Sequence, residues 1–448
     1  MKRILAIMLA LILSAAALAS CGKTEEQSAT GTANTATEAA YDDTISAKEA
    51  TAAFEMTSAD GQFTSEDGLY TISAAGTYTA TGLLEGQIVV DAGEDDEVVI
   101  ELSGATLTCG SDSPIKVICA GDVDVCAKKG TENVINDTRS AKTAENDDQG
   151  EGAISAKCDL KLKGNGILVI NAAYNNGVHT TKDLTIKNLS LKVTACNNAL
   201  KGNDSVTVES GEVVAISTNG DGVETENTDV SKNGVTRGDV VLCGGTVSVY
   251  AAGDGVCAAH NFEMTTGEEG TAPTVTVYTG SYSGYTDENA STTSYKGVKV
   301  QNELNIKDGT ITLQTYDDGL HADCGTSFDD GTEGQGTVNI SGGTVNMSVY
   351  APENKTAGGR KGPGGWGGQQ SVIGAGAIDA DGSVGISGGT MIVLGYGRVT
   401  AGGSVKTVSL SLHSAGEHTV NIDGTDYTFT NAEEYGSTTC YSDVTVSS

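Results

Sequence analysis

Basic residues are scarce in this chain. Its 26 Lys and Arg stand against 59 Asp and Glu, for a formal net charge of −33. Such a surface repels nucleic acid and anionic membranes, and an acidic polymer reaches it only if divalent cations stand between. Beyond the first 21 residues no apolar run is long enough to span a bilayer. Helical periodicity is also lacking there, and only four prolines interrupt 448 residues. Sixty glycines, set with Asn and Asp between short alternating apolar runs, point instead to an all-β chain. No two cysteines have CxxC spacing, which removes the usual zinc motifs.

The chain opens "MKRILAIMLALILSAAALASC", with a positive start, an apolar run and small residues. This is a secretory signal pattern. The stretch "LASC" resembles the lipobox of bacterial lipoproteins, which implies cleavage before Cys21 and a lipid on its thiol. Removing Lys2 and Arg3 takes the net charge from −33 to −35. Residues 22–52, rich in Thr, Ala, Glu and Ser, are expected to form a flexible tether. Residues 53–400 are expected to form the main domain and 401–448 a C-terminal β cap. Nine cysteines follow Cys21, so at least one is unpaired in a monomer. Cys158, Cys196 and Cys243 lie in strand-like runs and are read as buried free thiols. A Cys109–Cys119 disulfide is the alternative.

A repeat organises the rest. An apolar residue follows Gly or Ala at Ile154, Val178, Leu200, Val223, Val256, Val298, Leu320 and Ile378. The spacings are 24, 22, 23, 33, 42, 22 and 58, so four of the seven are 22 to 24 and three carry insertions. Each unit holds a strand, a tight turn and a second strand, as in "LNIKDGTITLQT" and "VNISGGTVNMSV", and a third short strand follows the anchor. Three strands in about 22 residues make one coil of a right-handed parallel β-helix, a solenoid. A coil alone cannot bury its apolar face; stacking at about 4.8 Å does so and pairs the backbone. The segment from Phe54 to about Thr108 is expected to cap the first coil, because an open coil end is an unpaired sheet edge.

Two residues before the six anchors from Val178 to Leu320 stand Asn176, Asn198, Asp221, Asp254, Lys296 and Asp318. Asn176 and Asn198 can form a hydrogen-bonded ladder. Asp221 and Asp254, one coil apart, repel by roughly 3 kcal/mol at ~5 Å and an effective dielectric near 20. Water, a raised pKa, Lys296 or a bound cation must offset that.

The order of "DLTI", "GGT", "GDGV" and "DDGLHA", preceded by "GTYTATGLLEGQIVVDAGEDDEVVIELSGATLT", resembles a bacterial family of cell-surface carbohydrate-binding β-helix proteins. The resemblance runs from about Phe54 to Gly397. It implies binding of cellulose or acidic pectin (polygalacturonate), calcium in the β-helix and structural kinship with calcium-dependent pectate lyases. Asn176, Asn198 and Lys296 stand where the family pattern has acids.

Calcium takes six to eight oxygens, which acids from adjacent coils and turn carbonyls can supply. Asp221 with Asp254 is the first expected site, with Glu224 contributing. Asp317 with Asp318, joined by Asp323, is the second, and Asp379 with Asp381 a third candidate. Solvated acidic turns are the alternative for all three. His179 and His321 follow their anchors together with Lys201, Glu224, Cys257 and Lys299, and are read as exposed structural residues. Tyr282, Tyr285 and Tyr295 in one insertion, and Trp366 in a glycine-rich loop, are the candidate sugar platforms.

These features together lead to a lipid-anchored binder of plant cell-wall polysaccharide with calcium, monomeric, on the outer face of the cell membrane. A calcium-dependent lyase and a structural adhesin without a glycan are the alternatives. A lyase needs a base beside calcium, and Lys201, Lys296 and Lys299 are the basic residues on the anchor rows.

Overall fold

The computed structural model describes residues 45–280 apart from 145 and 148, then 294–349, 376–395, 407–410, 416–422, 425–431, 438–441 and 446–447. Among these residues every regular element is a β-strand. The strands form parallel stacks in which each strand pairs with its counterpart in the neighbouring repeat units.

One stack is a 12-stranded sheet that follows chain order. All eight anchors lie in one register, from Ile154 through Val178, Leu200, Val223, Val256, Val298 and Leu320 to Ile378. The column continues upstream through Ile115 and Ile88, which no Gly-apolar or Ala-apolar pair marks. Two further columns belong to the 21-stranded sheet. One passes through Leu160, Leu184, Val206, Val240, Phe262, Leu304, Val338 and Val384. The other passes through Leu168, Leu191, Val213, Val247, Val275, Ile311, Val345 and Met391. All three columns are buried in one continuous core. Period-two alternation explains this, since in Leu189–Ala195 every second side chain is buried.

The Gly-apolar motif has a steric cause. A Cβ at Gly222 would sit 2.0 Å from Val249 Cγ1 and 2.7 Å from the Gly255 carbonyl oxygen. Gly177 and Gly255 meet Val193 and Val277 in the same way. Where the motif carries Ala199 instead, the register-equivalent of Val193 is the smaller Ala215. The "GGT" and "DGT" turns have a conformational cause: Gly309, Gly343 and Gly389 adopt φ of 89°, 73° and 75°, which side chains disfavour.

Antiparallel pairing occurs near both chain ends and in one small mid-chain ribbon, where Cys324–Ser327 pairs with Glu333–Gln335. Glu55–Ser58 pairs with Gly76–Glu85, and Phe63–Glu66 with Leu69–Ile72. From Leu69 onward the strands before Thr108 already join the parallel stacks. At the far end Thr438–Tyr441 runs antiparallel to Val384–Gly395, and Gly416–Ile422 pairs with Thr425–Asn431 and Val446–Ser447.

Two expectations are corrected. The tether does not extend to residue 52, because Ile45 is buried against Val214, Ile216 and Tyr250. Lys48 and Ala50 then donate backbone N–H groups to Glu132 and Thr106, both at 2.7 Å. The eight cysteines whose side chains are described are all free, which removes the Cys109–Cys119 pairing, and among them only Cys109 and Cys158 are buried. Cys196 and Cys243 are half-buried.

Candidate functional site

The row two residues before the anchors forms a hydrogen-bonded ladder, with each side-chain oxygen accepting the backbone N–H of the next layer. Asn176 Oδ1 accepts from Asn198 at 3.2 Å, and Asn198 Oδ1 from Asp221 at 2.8 Å. Asp221 Oδ1 accepts from Asp254 and Asp254 Oδ1 from Lys296, both at 2.7 Å. Asp318 Oδ1 then accepts from Gly376, also at 2.7 Å. An Asn or Asp satisfies a turn N–H that would otherwise be buried unpaired. The carboxylates therefore have a structural use, which engages Oδ1 and leaves Oδ2 for other partners.

Asp221 and Asp254 are the acid pair of this row without a cation in ion-pair contact among the described residues. Asp254 is 3% exposed. Burial, then the Asp254 charge, then Glu224 push Asp221 up to about 7. One ligand atom each of Asp221, Asp254 and Cys257 fall within 4.8 Å of one another. The two oxygens suit a hard cation, which would relieve their repulsion. The Cys257 thiol, pushed up by burial and both acids, does not. Glu224 is engaged elsewhere: Lys201 Nζ lies 2.9 Å from it, and the Asn198 amide donates to it.

The second expected calcium set is occupied by protein cations. Lys296 Nζ lies 2.9 Å from Asp317 and 3.8 Å from Asp318. His321 bridges two acids, with Nδ1 3.0 Å from Asp318 and Nε2 2.7 Å from Asp323. Burial pulls His321 down, but these two hydrogen bonds outweigh it and raise it to about 9. Asp317, Asp318 and Asp323 are thus each paired with a lysine or histidine here. In the third candidate, Asp381 accepts the Cys324 N–H at 3.2 Å while Asp379 turns toward His321, 3.9 Å away.

The positions after the anchors pair in register as Ser155, His179, Lys201, Glu224, Cys257, Lys299, His321 and Asp379. They face away from the core, yet His179 is buried rather than exposed. Its Nε2 meets Asn203 Oδ1 at 3.2 Å and burial holds it below the ordinary histidine range. For Lys201, burial is outweighed by Glu224 and Glu226; for Lys296, by Asp317 and Asp318. Both therefore sit above the ordinary lysine range.

Tyr282, Tyr285 and Trp366 lie outside the described residues. Tyr295 is 5% exposed, so it offers no ring face to a sugar. Its ring packs against Gly280, where an added Cβ would come within 3.2 Å of it. A cavity of about 630 Å³ lined by Lys157, Asp159, Lys182, Asp183, Asp204 and Arg237 is a concave candidate that no local motif announces. Its residues come from successive layers and from an insertion after Glu226, and Asp204 accepts from Arg237 Nε at 3.0 Å.

Comparison with known proteins gives concordant matches. A family model described as Carbohydrate-binding domain-containing protein matches residues 66–349. A carbohydrate-binding domain-containing protein of Acetivibrio thermocellus is 34% identical over 126 residues, which is 28% of this chain and 44% of that protein. The match thus spans less than half of that relative's length. A solved structure of a polysaccharide lyase-like protein from C. thermocellum, a gadolinium derivative, aligns at 30% identity. It covers 56% of this chain and 91% of that one, with a TM-score of 0.47.

Proposed function

Since the chain belongs to the family of carbohydrate-binding domain-containing proteins, we propose that it binds plant cell-wall polysaccharide, acidic pectin first and cellulose second. In this reading Cys21 carries a lipid that holds the domain on the outer face of the cell membrane. The parallel stacks are taken as coils of a right-handed parallel β-helix, whose repeating face suits a polymer.

The observation that carries the acidic ligand is the Asp221–Asp254 pair, a half-buried and a buried acid in which the Asp254 backbone N–H donates to the Asp221 carboxylate, with no ion-paired cation among the described residues. Calcium held by their free oxygens and turn carbonyls would supply a positive centre for a uronate carboxylate. Lys299, half-buried and paired in register with Cys257, is the adjacent positive group. A strongly acidic chain and an acidic polymer are compatible only through such cations. The cavity lined by Lys157 and Asp183 is the concave place for a chain end or branch.

The lyase reading has less support. A lysine must be neutral to remove a proton, and Lys201 and Lys296 are held charged by their carboxylate partners.

The test is binding of the full chain to polygalacturonate and to cellulose, with calcium and with chelator. Pectin binding should vanish in chelator and weaken in Asp221→Ala and Lys299→Ala, while cellulose binding persists. Pectin binding indifferent to chelator and to Asp221→Ala would overturn the calcium mechanism. Growth of the unsaturated-uronide absorbance would revive the lyase.

A further inference from the structure

The acids expected to hold a second calcium ion are arranged around an imidazole. His321 Nδ1 lies 3.0 Å from Asp318 Oδ2 and 3.9 Å from Asp379 Oδ2. One ligand atom from each of the three residues falls within 4.8 Å of the others. A tetrahedral ion about 2.0 Å from its ligands places them roughly 3.3 Å apart. Small side-chain adjustments therefore bring the three onto one ion.

Two neighbours orient the set. Asp318 is 2% exposed, and the Gly376 N–H holds its Oδ1, which leaves Oδ2 toward His321. Asp323 Oδ1 sits 2.7 Å from His321 Nε2, so the nitrogen facing the other two acids is Nδ1. A carboxylate on the far nitrogen is how metal-ligating histidines are commonly fixed. His321 and Asp379 are partners in the register of adjacent strands. The Asp379 side chain is 47% exposed, so the set is open to solvent on one side.

The donor chemistry argues against calcium here. Calcium takes oxygen ligands, whereas imidazole with carboxylate suits the borderline first-row ions. Lys296, 3.8 Å from Asp318, is the competing cation, but its closer partner is Asp317 at 2.9 Å.

We propose that Asp318, His321 and Asp379 form a binding site for a borderline divalent ion such as zinc, with Asp323 as a positioning residue and one coordination position open to water or a ligand oxygen. This site is separate from the Asp221–Asp254 corner and goes beyond the calcium reading.

The test is calorimetric titration of the chelator-stripped full chain with zinc chloride and, separately, calcium chloride. Zinc should bind, with His321→Ala weakening it more than tenfold and Asp323→Asn by about tenfold. Asp379→Asn, at a solvent-facing position, should weaken zinc without affecting the fold, which keeps the test decisive if His321→Ala unfolds. Calcium-dependent polygalacturonate binding should be unchanged in Asp379→Asn, which separates this site from the proposed function. Absence of zinc binding, zinc affinity unchanged in Asp379→Asn, or zinc binding abolished by Cys257→Ser would each overturn the assignment.

Discussion

Asp254 donates its backbone N–H to the side chain of Asp221, one layer away, at 2.7 Å. The same Asp254 then accepts the N–H of Lys296. The carboxylate is therefore both a structural acceptor and a charge, and the two roles can be separated by substitution.

Asp254→Asn keeps an acceptor for Lys296 and removes the repulsion with Asp221. Asp254→Ala leaves a buried N–H unpaired, at a cost of about 1–3 kcal/mol. In chelator, denaturant unfolding should find Asp254→Asn at least as stable as the wild type and Asp254→Ala less stable. Equal losses in both variants would remove the ladder account. Calcium should then stabilise the wild type and not Asp254→Asn, since an ion bound only by the native state stabilises it by mass action.

Stability in chelator should fall as pH rises, in two windows. Asp221 is raised to about 7 in the fold, against an unfolded value near 3.9. The folded state binds the extra proton, so this contribution is fully present below about pH 4 and lost as pH rises through about 7. His321 is raised to about 9, and its contribution is fully present below about 6.5 and lost as pH rises through about 9. Thermal melts across this range should show a declining melting temperature. Asp221→Asn should flatten the lower window and His321→Gln the upper one. Slopes unchanged from the wild type in both variants would refute both assignments.

Gly222→Ala should destabilise by about 1–3 kcal/mol, because its Cβ would lie 2.0 Å from Val249 and 2.7 Å from a backbone oxygen. Val249→Ala should return part of that loss when combined with it, since the two sites are in contact. Strict additivity of the two substitutions in denaturant melts would show that Val249 is not the obstacle.

Native thiol reactivity should be ordered by burial. Burial, with Asp159 and Asp122 nearby, pushes the Cys158 thiol up to about 12, so it carries almost no thiolate at neutral pH. Cys324 is exposed. Mass spectrometry after brief alkylation should find Cys324 modified and Cys158 intact, and early labelling of Cys158 would show that its layer opens.

Much of the strand order was legible in the sequence, down to the residue. The eight anchors read from a Gly-apolar motif are eight partners in one column. That follows because alternation allows one face to the core, and the glycine or alanine before each anchor is small enough to clear its neighbour. Ile88 and Ile115 escaped the motif because their preceding residues are Gln87 and Pro114. The tether boundary escaped because one buried Ile45 in a Thr-, Ala- and Glu-rich stretch leaves no periodic trace.

The candidate site divides the same way. Repeat spacing by itself determined that Asp221 and Asp254 meet, because they share one position in successive layers. Only the tertiary structure decided what else each acid touches. Asp379 reaches His321 across 58 residues of chain, and Lys296 turns its ammonium to Asp317 rather than to Asp254. Register is set by backbone pairing and side-chain period, which a linear sequence carries. The partner of a side-chain oxygen is set by rotamers and by insertions of unequal length, and these place charges together with no spacing to reveal them.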